Sequence, residues 1–359
     1  MNYCKQLRGG MSGLRGCIIC VGINMRDLAR ANDLISRIAQ QYTTITPITS
    51  EDFELFQSFF TKESHSYGNS WTYITQGMYG IGPNKLGYKY YDGKHLSAVC
   101  AYPRVEKQDE IGLFWIRPMG DGVEQCLYDI SKEVRPMWSG PIFVKKIFHE
   151  QYDRLLSLGF SDISVCPWHH VYTAEDDTHP EVIIDIRHTM GEVAKLGKTR
   201  QLNRSYQYYN AFKKDSELVS SSIFTHPDDA LGILGEFFEE RKSINMKNIS
   251  KPTDYYAMLF HPNKQSTIFE KLLYYGGKPV GFYVGEVQSA THASQYAMVS
   301  VRKALNHLSD FMMFDMAMDL EKNNITYLNL GGSETDSLFE FKQKFIPATM
   351  NAMCWVVMP

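Results

Sequence analysis

The sequence Tyr-Tyr-Gly-Gly-Lys at residues 274–278 decides the fold, because residues 90–94 repeat it as Tyr-Tyr-Asp-Gly-Lys. In both places a Gly-Gly or Asp-Gly pair separates two runs of alternating apolar and polar residues, which is typical of a β-hairpin. We therefore predict equivalent hairpins at residues 88–102 and 272–287. Many unrelated hairpins share these turn residues. A true repeat therefore requires that the elements after each hairpin also recur in the same order.

Outward from each hairpin, the apolar pattern predicts the same succession: a strand, a long helix, a strand, a short helix and a final strand. In the first copy these elements are predicted at residues 111–116, 121–135, 141–147, 151–158 and 163–168. In the second copy they are predicted at residues 296–301, 303–323, 326–332, 338–345 and 350–357. This order resembles the GNAT fold, whose central strands separate and leave a wedge where an activated acyl group enters.

The chain is therefore predicted to belong to the α/β (α+β) class, with two tandem GNAT-like domains, each a mixed central sheet flanked by helices. The predicted limits are residues 1–44 for an N-terminal leader and helix, 45–180 for the first domain and 190–359 for the second. The second domain carries the predicted active site. Residues 1–24 are expected to be a loose leader, and helices are predicted at 26–41 and 49–60.

Composition sets limits on partners and compartment. The chain has 359 residues, a net charge of -3 and a pI near 6.4, so contact with nucleic acid requires a local basic patch. Seven scattered cysteines favour reduced thiols over a disulfide framework. The apolar segment at residues 17–23 is too short to cross a bilayer. We expect a cytoplasmic protein without a transmembrane segment; its oligomeric state is left open.

The stretch YLNLGGSETDSLFEFKQKF at residues 327–345 is the predicted centre of the second domain. An apolar strand runs into Gly331 and Gly332, whose freedom lets the backbone turn sharply and approach a ligand. Ser333, Thr335 and Asp336 are all helix N-cap types, and a short amphipathic helix is predicted to start here. On pattern alone, an ordinary strand, turn and helix with solvated lysines is an equally good interpretation.

The Leu-Gly-Gly turn followed by Phe-Lys-x-x-Phe resembles the end of the catalytic domain in Fem-type aminoacyl-tRNA-dependent transferases and in lysyl-phosphatidylglycerol synthase domains. Both families have tandem GNAT domains, so the resemblance covers residues 45–359. It implies that Lys342 faces the aminoacyl ester, with Phe341 beside it. We assign donor binding at the turn to four residues: Asn329, Gly331, Gly332 and Ser333.

A basic and aromatic segment lies between the two copies, at residues 195–214, and contains no acidic residue. Such a surface can grip phosphates while its aromatic rings stack on bases or sugars. The alternative is a solvated helix face with an aromatic stripe packed on the core. Because its Leu-Gly-Lys-x-Arg run resembles the start of the second domain of lysyl-phosphatidylglycerol synthases, we assign tRNA binding to Lys198, Arg200 and Arg204.

An aromatic stretch at residues 67–75 is predicted to form an edge strand or a pocket wall at residues 71–74. Tyr67, Trp71 and Tyr73 are assigned to the acceptor site, with packing in the core as the alternative.

The choice of acyl donor depends on a motif that the sequence lacks, the glycine-rich loop that binds CoA. GNAT enzymes that use acetyl-CoA hold its pyrophosphate on a glycine-rich loop at the start of the long helix. Residues 302–310 contain no glycine, and residues 119–122 contain glycines but also an acid. This absence favours aminoacyl-tRNA over acyl-CoA as the donor.

Cys17 and Cys20 form one Cys-x-x-Cys pair without a second pair at zinc spacing, so neither a metal nor a permanently bound cofactor is predicted.

No sequence motif for a covalent nucleophile or a zinc hydrolase is present, which favours direct attack by the acceptor. The sequence predicts transfer of an aminoacyl group from aminoacyl-tRNA to an amine or hydroxyl of a small molecule, peptide or lipid headgroup. Two alternatives stay open: an N-acyltransferase that uses acyl-CoA, and a non-catalytic tandem GNAT binding module.

Overall fold

The computed structural model describes residues 25–63, 66–76, 87–103, 110–165, 180–194, 200–242, 267–301, 305–333 and 335–358. Within these ranges the chain forms two seven-stranded mixed sheets with helices on their faces. No helix within them is long and apolar enough to cross a membrane. The expected leader at residues 1–24 lies outside the described residues.

The first half of the chain supplies six strands: β1 Ile45–Pro47, β2 Tyr88–Tyr91, β3 Leu96–Pro103, β4 Ile111–Met119, β5 Ile142–Phe148 and β6 Ser161–Asp162. Its helices are α1 Met25–Gln41, α2 Phe53–Glu63, α3 Trp71–Gln76, α4 Val123–Val134 and α5 His149–Ser157.

The rest of the chain supplies eight strands: β7 Glu181–Asp185, β8 Leu218–Ser221, β9 Ile268–Tyr275, β10 Lys278–Val287, β11 His292–Ser300, β12 Tyr327–Asn329, β13 Pro347–Asn351 and β14 Met353–Met358. Its helices are α6 Ile186–Ala194, α7 Arg200–Lys213, α8 Pro227–Lys242, α9 Leu308–Lys322 and α10 Asp336–Gln343.

The two predicted hairpins are confirmed. Strand β2 pairs antiparallel with β3, and β9 pairs antiparallel with β10. In each sheet the next strand then pairs in parallel across a long helix, as β4 with β5 and β11 with β12. The succession of elements predicted from the repeated pattern is therefore that of the two GNAT-like halves.

The two sheets exchange one strand each. The first sheet has the order β1-β2-β3-β4-β5-β14-β6, and the second has the order β13-β7-β12-β11-β10-β9-β8. Strand β14 thus lies in the first sheet, between β5 and β6, and β7 occupies the equivalent place in the second. The domain limits at 45–180 and 190–359 stay a prediction, but hydrogen bonding of the sheets crosses them.

Three predicted strands need correction. The final strand at 350–357 is divided between β13 and β14, because apolar alternation does not say which sheet a strand joins. The predicted strand at 163–168 is wrong where it is described: the strand β6 comes just before it, Ile163–Val165 forms a 3-10 turn, and residues 166–168 lie outside the described residues. The predicted edge strand at 71–74 is helix α3, in which Trp71 and Ile74 share one buried face at helical spacing.

Apolar side chains fill both faces of each sheet. Helices α1, α4 and α5 cover one face of the first sheet, and α2 and α3 cover the other. Helices α6, α7 and α9 cover one face of the second sheet, and α8 covers the opposite face. Alternation along β4 sends Trp115 and Phe114 to opposite cores.

Candidate active site

The central strands of the second sheet separate at a defined point. Strands β11 and β12 pair in parallel from His292 with Tyr327 to Ser294 with Asn329. Beyond Asn329 the chain turns to β7 instead, where Leu330 N donates to Val182 O at 2.8 Å. The wedge opened in this way is the GNAT feature that the sequence predicts.

One wall of the wedge is the predicted glycine turn. Gly331 has a φ of 70°, a left-handed conformation that favours glycine. Its N–H donates to Asn329 Oδ1 at 2.7 Å, and the Lys342 ammonium donates to the carbonyl oxygens of Gly331, at 3.3 Å, and Gly332. Lys342 reaches the turn from α10 and is 7% exposed. The turn is therefore held by two buried polar side chains from both sides.

Asn329 also links the turn to a buried carboxylate. Its Nδ2 donates to Glu181 Oε2 at 2.8 Å, and Ser66 Oγ donates to Glu181 Oε1 at 2.8 Å. Glu181 begins the exchanged strand β7, whereas Ser66 belongs to the first half of the chain. The two halves thus meet at the base of the turn.

The other wall carries a second buried carboxylate, which the sequence analysis missed. Glu286 on β10 is fully buried and pairs in register with Ser294, so it lies beside the point where the strands separate. Tyr296 donates to Glu286 Oε2 at 2.5 Å and also contacts the hydroxyl of Ser70. Thr72 N–H lies 3.4 Å from the same carboxylate oxygen.

Tyr296 reaches Glu286 because the strand is irregular there. Between β10 and β11, Gln295 pairs with Gly285 and Ala297 pairs with Val284, which leaves Tyr296 as the extra residue of a β-bulge. Bulges change the direction of a side chain and are common beside active sites. Nothing in a strand pattern marks such a residue.

Burial shifts the pKa of both members of this pair. Burial raises the pKa of Glu286, an effect that hydrogen bonds from Tyr296 and Thr72 partly oppose. Burial, together with the charge of Glu286, raises the pKa of Tyr296 well above its ordinary value. Glu286 Oε1 has no hydrogen-bond partner among the described residues, and neither does the buried hydroxyl of Ser333. Two buried polar atoms, one near the bulge and one at the glycine turn, are therefore without a hydrogen-bond partner in the described part of the chain.

Phe341 lies one residue from Lys342 but faces a different partner. Its half-buried ring lies 4.0 Å from the Lys344 ammonium, which forms an ion pair with Asp310 in the first turn of α9. Burial lowers the pKa of Lys344 despite the opposing effect of Asp310.

The predicted acceptor residues are close in sequence to Ser70 and Thr72, which contact Glu286 or Tyr296. The structure describes the side chain of only one of them, Trp71. Trp71 packs against Phe53 and Phe56, at 5.8 and 5.6 Å between ring centroids, as the packing alternative predicts. Its neighbours Ser70 and Thr72 contact the Glu286 and Tyr296 pair. The side chains of Tyr67 and Tyr73 lie outside the described part of the chain.

The predicted tRNA residues are only partly described. Lys198 and the side chain of Arg200 lie outside the described residues. Arg204 is exposed on α7 and donates to Tyr208 Oη at 3.0 Å, while the Tyr208 ring stacks on His307 at 3.7 Å. Helix α7 also packs Tyr209 against Phe311, with ring centroids 5.6 Å apart. The helix thus combines the aromatic stripe of the alternative interpretation with an exposed basic and aromatic face.

Comparisons with known proteins detect a likeness in structure and none in sequence. The sequence matches no protein-family model, and no curated protein matches it. A protein of unknown function from Bacteroides thetaiotaomicron aligns over 88% of this chain and 99% of its own, with a TM-score of 0.63 and 12% identity. FemX aligns over 88% of this chain and 96% of its own, with a TM-score of 0.58 and 11% identity. L-PGS from Bacillus licheniformis aligns over 84% of this chain and 90% of its own, with a TM-score of 0.52 and 12% identity.

These alignments cover most of the chain, and at sequence identities this low they show a common fold and nothing more. Together with the strand order and the wedge, they show that the chain has the two-domain GNAT-like fold of FemX and L-PGS.

Proposed function

We propose that this protein transfers an aminoacyl group from aminoacyl-tRNA to an amine or hydroxyl of an acceptor molecule, in the wedge between β11 and β12. The observation that carries the proposal is the fully buried Glu286, which accepts from the half-buried Tyr296 at the point where the strands separate. Carboxylates with a raised pKa in a dry cleft are typical of general bases.

The proposed reaction is direct attack. The acceptor amine loses a proton to Glu286 Oε1 as its nitrogen bonds to the ester carbonyl carbon. The ester C–O bond then breaks, and Tyr296 gives its hydroxyl proton to the departing ribose oxygen. Glu286 returns its proton to Tyr296, which restores both groups and leaves an amide and a free tRNA hydroxyl. This route needs no covalent intermediate.

Lys342 contributes to this reaction through the turn. Its ammonium neutralises the two carbonyl dipoles of Gly331 and Gly332 and brings a positive charge close to the wedge. In a site with a low dielectric, such a charge stabilises a developing oxyanion more than it would in water.

The choice of tRNA over acyl-CoA is supported by the start of α9. A CoA pyrophosphate needs free backbone N–H groups and positive charge at this helix end. Here the carboxylate of Asp310 occupies the first turn and is already paired with Lys344, and His307 is stacked on Tyr208. The exposed face of α7 with Arg204 suits a longer polyanion.

The test is a transfer assay. The protein is incubated with radiolabelled aminoacyl-tRNAs and a small-molecule fraction of a lysate, with and without ribonuclease added before mixing. We expect label to move to a ribonuclease-resistant product only when the tRNA is intact. Transfer that survives prior ribonuclease treatment, or that requires acyl-CoA, contradicts the proposal. Glu286→Gln should slow formation of the product by about 10²-fold or more, and Glu340→Gln, which changes an exposed carboxylate, should not.

A further inference from the structure

A cavity of about 640 Å³ lies in the first half of the chain, away from the wedge. It is bounded by the end of α1, the β2–β3 hairpin turn and the start of α4. Among its lining residues are Tyr42, Asp92, His95, Cys126, Asp129 and Glu133. The proposed transfer reaction uses none of these groups.

Three different ligand types converge on the wall of this cavity. A carboxylate oxygen of Asp92, a ring nitrogen of His95 and the Sγ of Cys126 all lie within 4.8 Å of one another. Asp92 Oδ2 is 2.8 Å from His95 Nδ1 and 3.9 Å from Cys126 Sγ. Ligand atoms of a tetrahedral zinc ion stand about 3.5 Å apart. The observed separations of 2.8 and 3.9 Å lie on either side of this distance.

The surrounding backbone already orients two of the three groups. His95 Nε2 lies 2.8 Å from the main-chain carbonyl of Asp121, so this nitrogen keeps its proton and Nδ1 points to the cluster. Asp92 Oδ1 accepts from the N–H groups of Lys94 and His95, at 2.8 and 2.7 Å. Asp92 Oδ2 faces the cluster and accepts from the Tyr90 hydroxyl at 3.0 Å; this hydroxyl also lies 3.1 Å from Cys126 Sγ, so an ion bound here replaces the tyrosine contacts. Metal-binding histidines and carboxylates are commonly fixed in this way.

Gly120 permits the His95 ring to take this position. A Cβ at residue 120 would lie 2.7 Å from His95 Cδ2 and 2.5 Å from the Lys94 carbonyl oxygen. Gly120 also has a φ of 129°, which strains any other residue. The approach of two loops that brings His95 over the start of α4 thus depends on a glycine.

Charge at the site favours a cation. Asp129 and Glu133 lie on α4 with Cys126 and add two carboxylates to the cavity.

We propose that Asp92, His95 and Cys126 bind a divalent transition-metal ion, with Zn²⁺ as the favoured ion and a fourth coordination position open to the cavity. Mixed nitrogen, sulfur and oxygen ligands with an open position suit Zn²⁺, and Co²⁺ can replace it as a spectroscopic probe. The sequence predicts no metal because these residues follow no spacing motif. They come together only when the hairpin turn meets α4.

The test uses Co²⁺ and then Zn²⁺ on the full chain, freed of metal with a chelator. Because Cys17 and Cys20 form a competing pair, both are changed to serine in every sample. We expect one equivalent of Co²⁺ to produce a thiolate-to-cobalt charge-transfer band that Zn²⁺ removes. Cys126→Ser should abolish the band, and His95→Gln should weaken Co²⁺ binding by at least about 10-fold.

The chain offers a matched control in Cys354, which is also half-buried and lies 3.5 Å from the Nδ1 of a histidine, His149. Cys354→Ser should leave the band unchanged. A second measurement needs no variant: Zn²⁺ should slow the alkylation of Cys126, followed by mass spectrometry, and should not slow that of Cys354. Absence of the band, its survival in Cys126→Ser, or equal alkylation of Cys126 with and without Zn²⁺ overturns the proposal.

Discussion

The two halves of this protein share a strand order but have different side chains at the equivalent wedge. In the second half the last parallel pair is Ser294 with Asn329, and buried polar groups follow it on both sides. In the first half the last parallel pair is Ile116 with Lys145, among stacked apolar rings such as Phe114 and Phe143, whose centroids are 4.7 Å apart. The topology opens a wedge, and the side chains decide whether it stays polar.

The exchanged strands account for part of this difference. Strand β14 brings Trp355 into the first sheet, where its ring lies 5.2 Å from the buried ammonium of Lys145. Strand β7 brings Glu181 into the second sheet, where it accepts from Asn329. A repeated fold can thus keep one copy as a packed support and the other as a reaction site.

The largest effect is expected from Glu286→Gln. Loss of a general base should lower the rate of aminoacyl transfer by about 10²–10⁴-fold, because the attacking amine keeps its proton. The measurement is single-turnover transfer from a fixed pool of aminoacyl-tRNA, with Glu340→Gln as the control. Equal rates for the two variants would contradict the general-base role of Glu286 and, with it, the assignment of the reaction to the wedge of the second half.

The next effect compares two buried lysines. Lys342→Met should lower the chemical step by about 10²–10³-fold, the scale for losing one oxyanion-stabilising contact, and should leave tRNA affinity nearly intact. Lys145→Met, in the wedge of the first half, should alter stability but not the chemical step. Rates and filter binding of both variants are measured together with circular dichroism. An equal loss of rate in both variants would contradict the oxyanion role of Lys342 and indicate that both lysines act through protein stability.

A smaller effect is expected at α7. Arg204→Ala should weaken tRNA binding and reduce the slope of log affinity against log salt by about one, since one phosphate contact is lost. Arg37→Ala, an exposed arginine of α1 paired with Asp33, is the control and should change neither quantity. An unchanged slope for Arg204→Ala would exclude this face of α7 from the tRNA surface.

The smallest effect concerns stability against pH. Because burial raises the pKa of Glu286 in the folded protein, its contribution to stability is complete below the unfolded pKa, about 4.3, and is lost as pH rises through the folded value. Glu286→Gln removes this loss. The free energy of unfolding of the variant should therefore rise relative to that of the wild type as the pH is raised from about 4 to about 8. Urea midpoints across this range provide the measurement; parallel curves would contradict the expected shift.

The sequence predicts what is local and misses what depends on contacts between distant residues. The hairpins and the glycine turn with Lys342 follow from short patterns, which is why they could be located in advance. Glu286 ends an apolar strand and resembles a solvated residue there. Its role depends on a bulge at Tyr296 and on Ser70 from the other half. The one available signal was a carboxylate within the apolar run at residues 280–287.

The exchange of strands also has a consequence during protein synthesis. Domains usually fold in order as the chain leaves the ribosome. Here β14, which lies between β5 and β6, is made only after every strand of the second sheet. The first sheet therefore cannot be completed until the last strand of the chain has been synthesised.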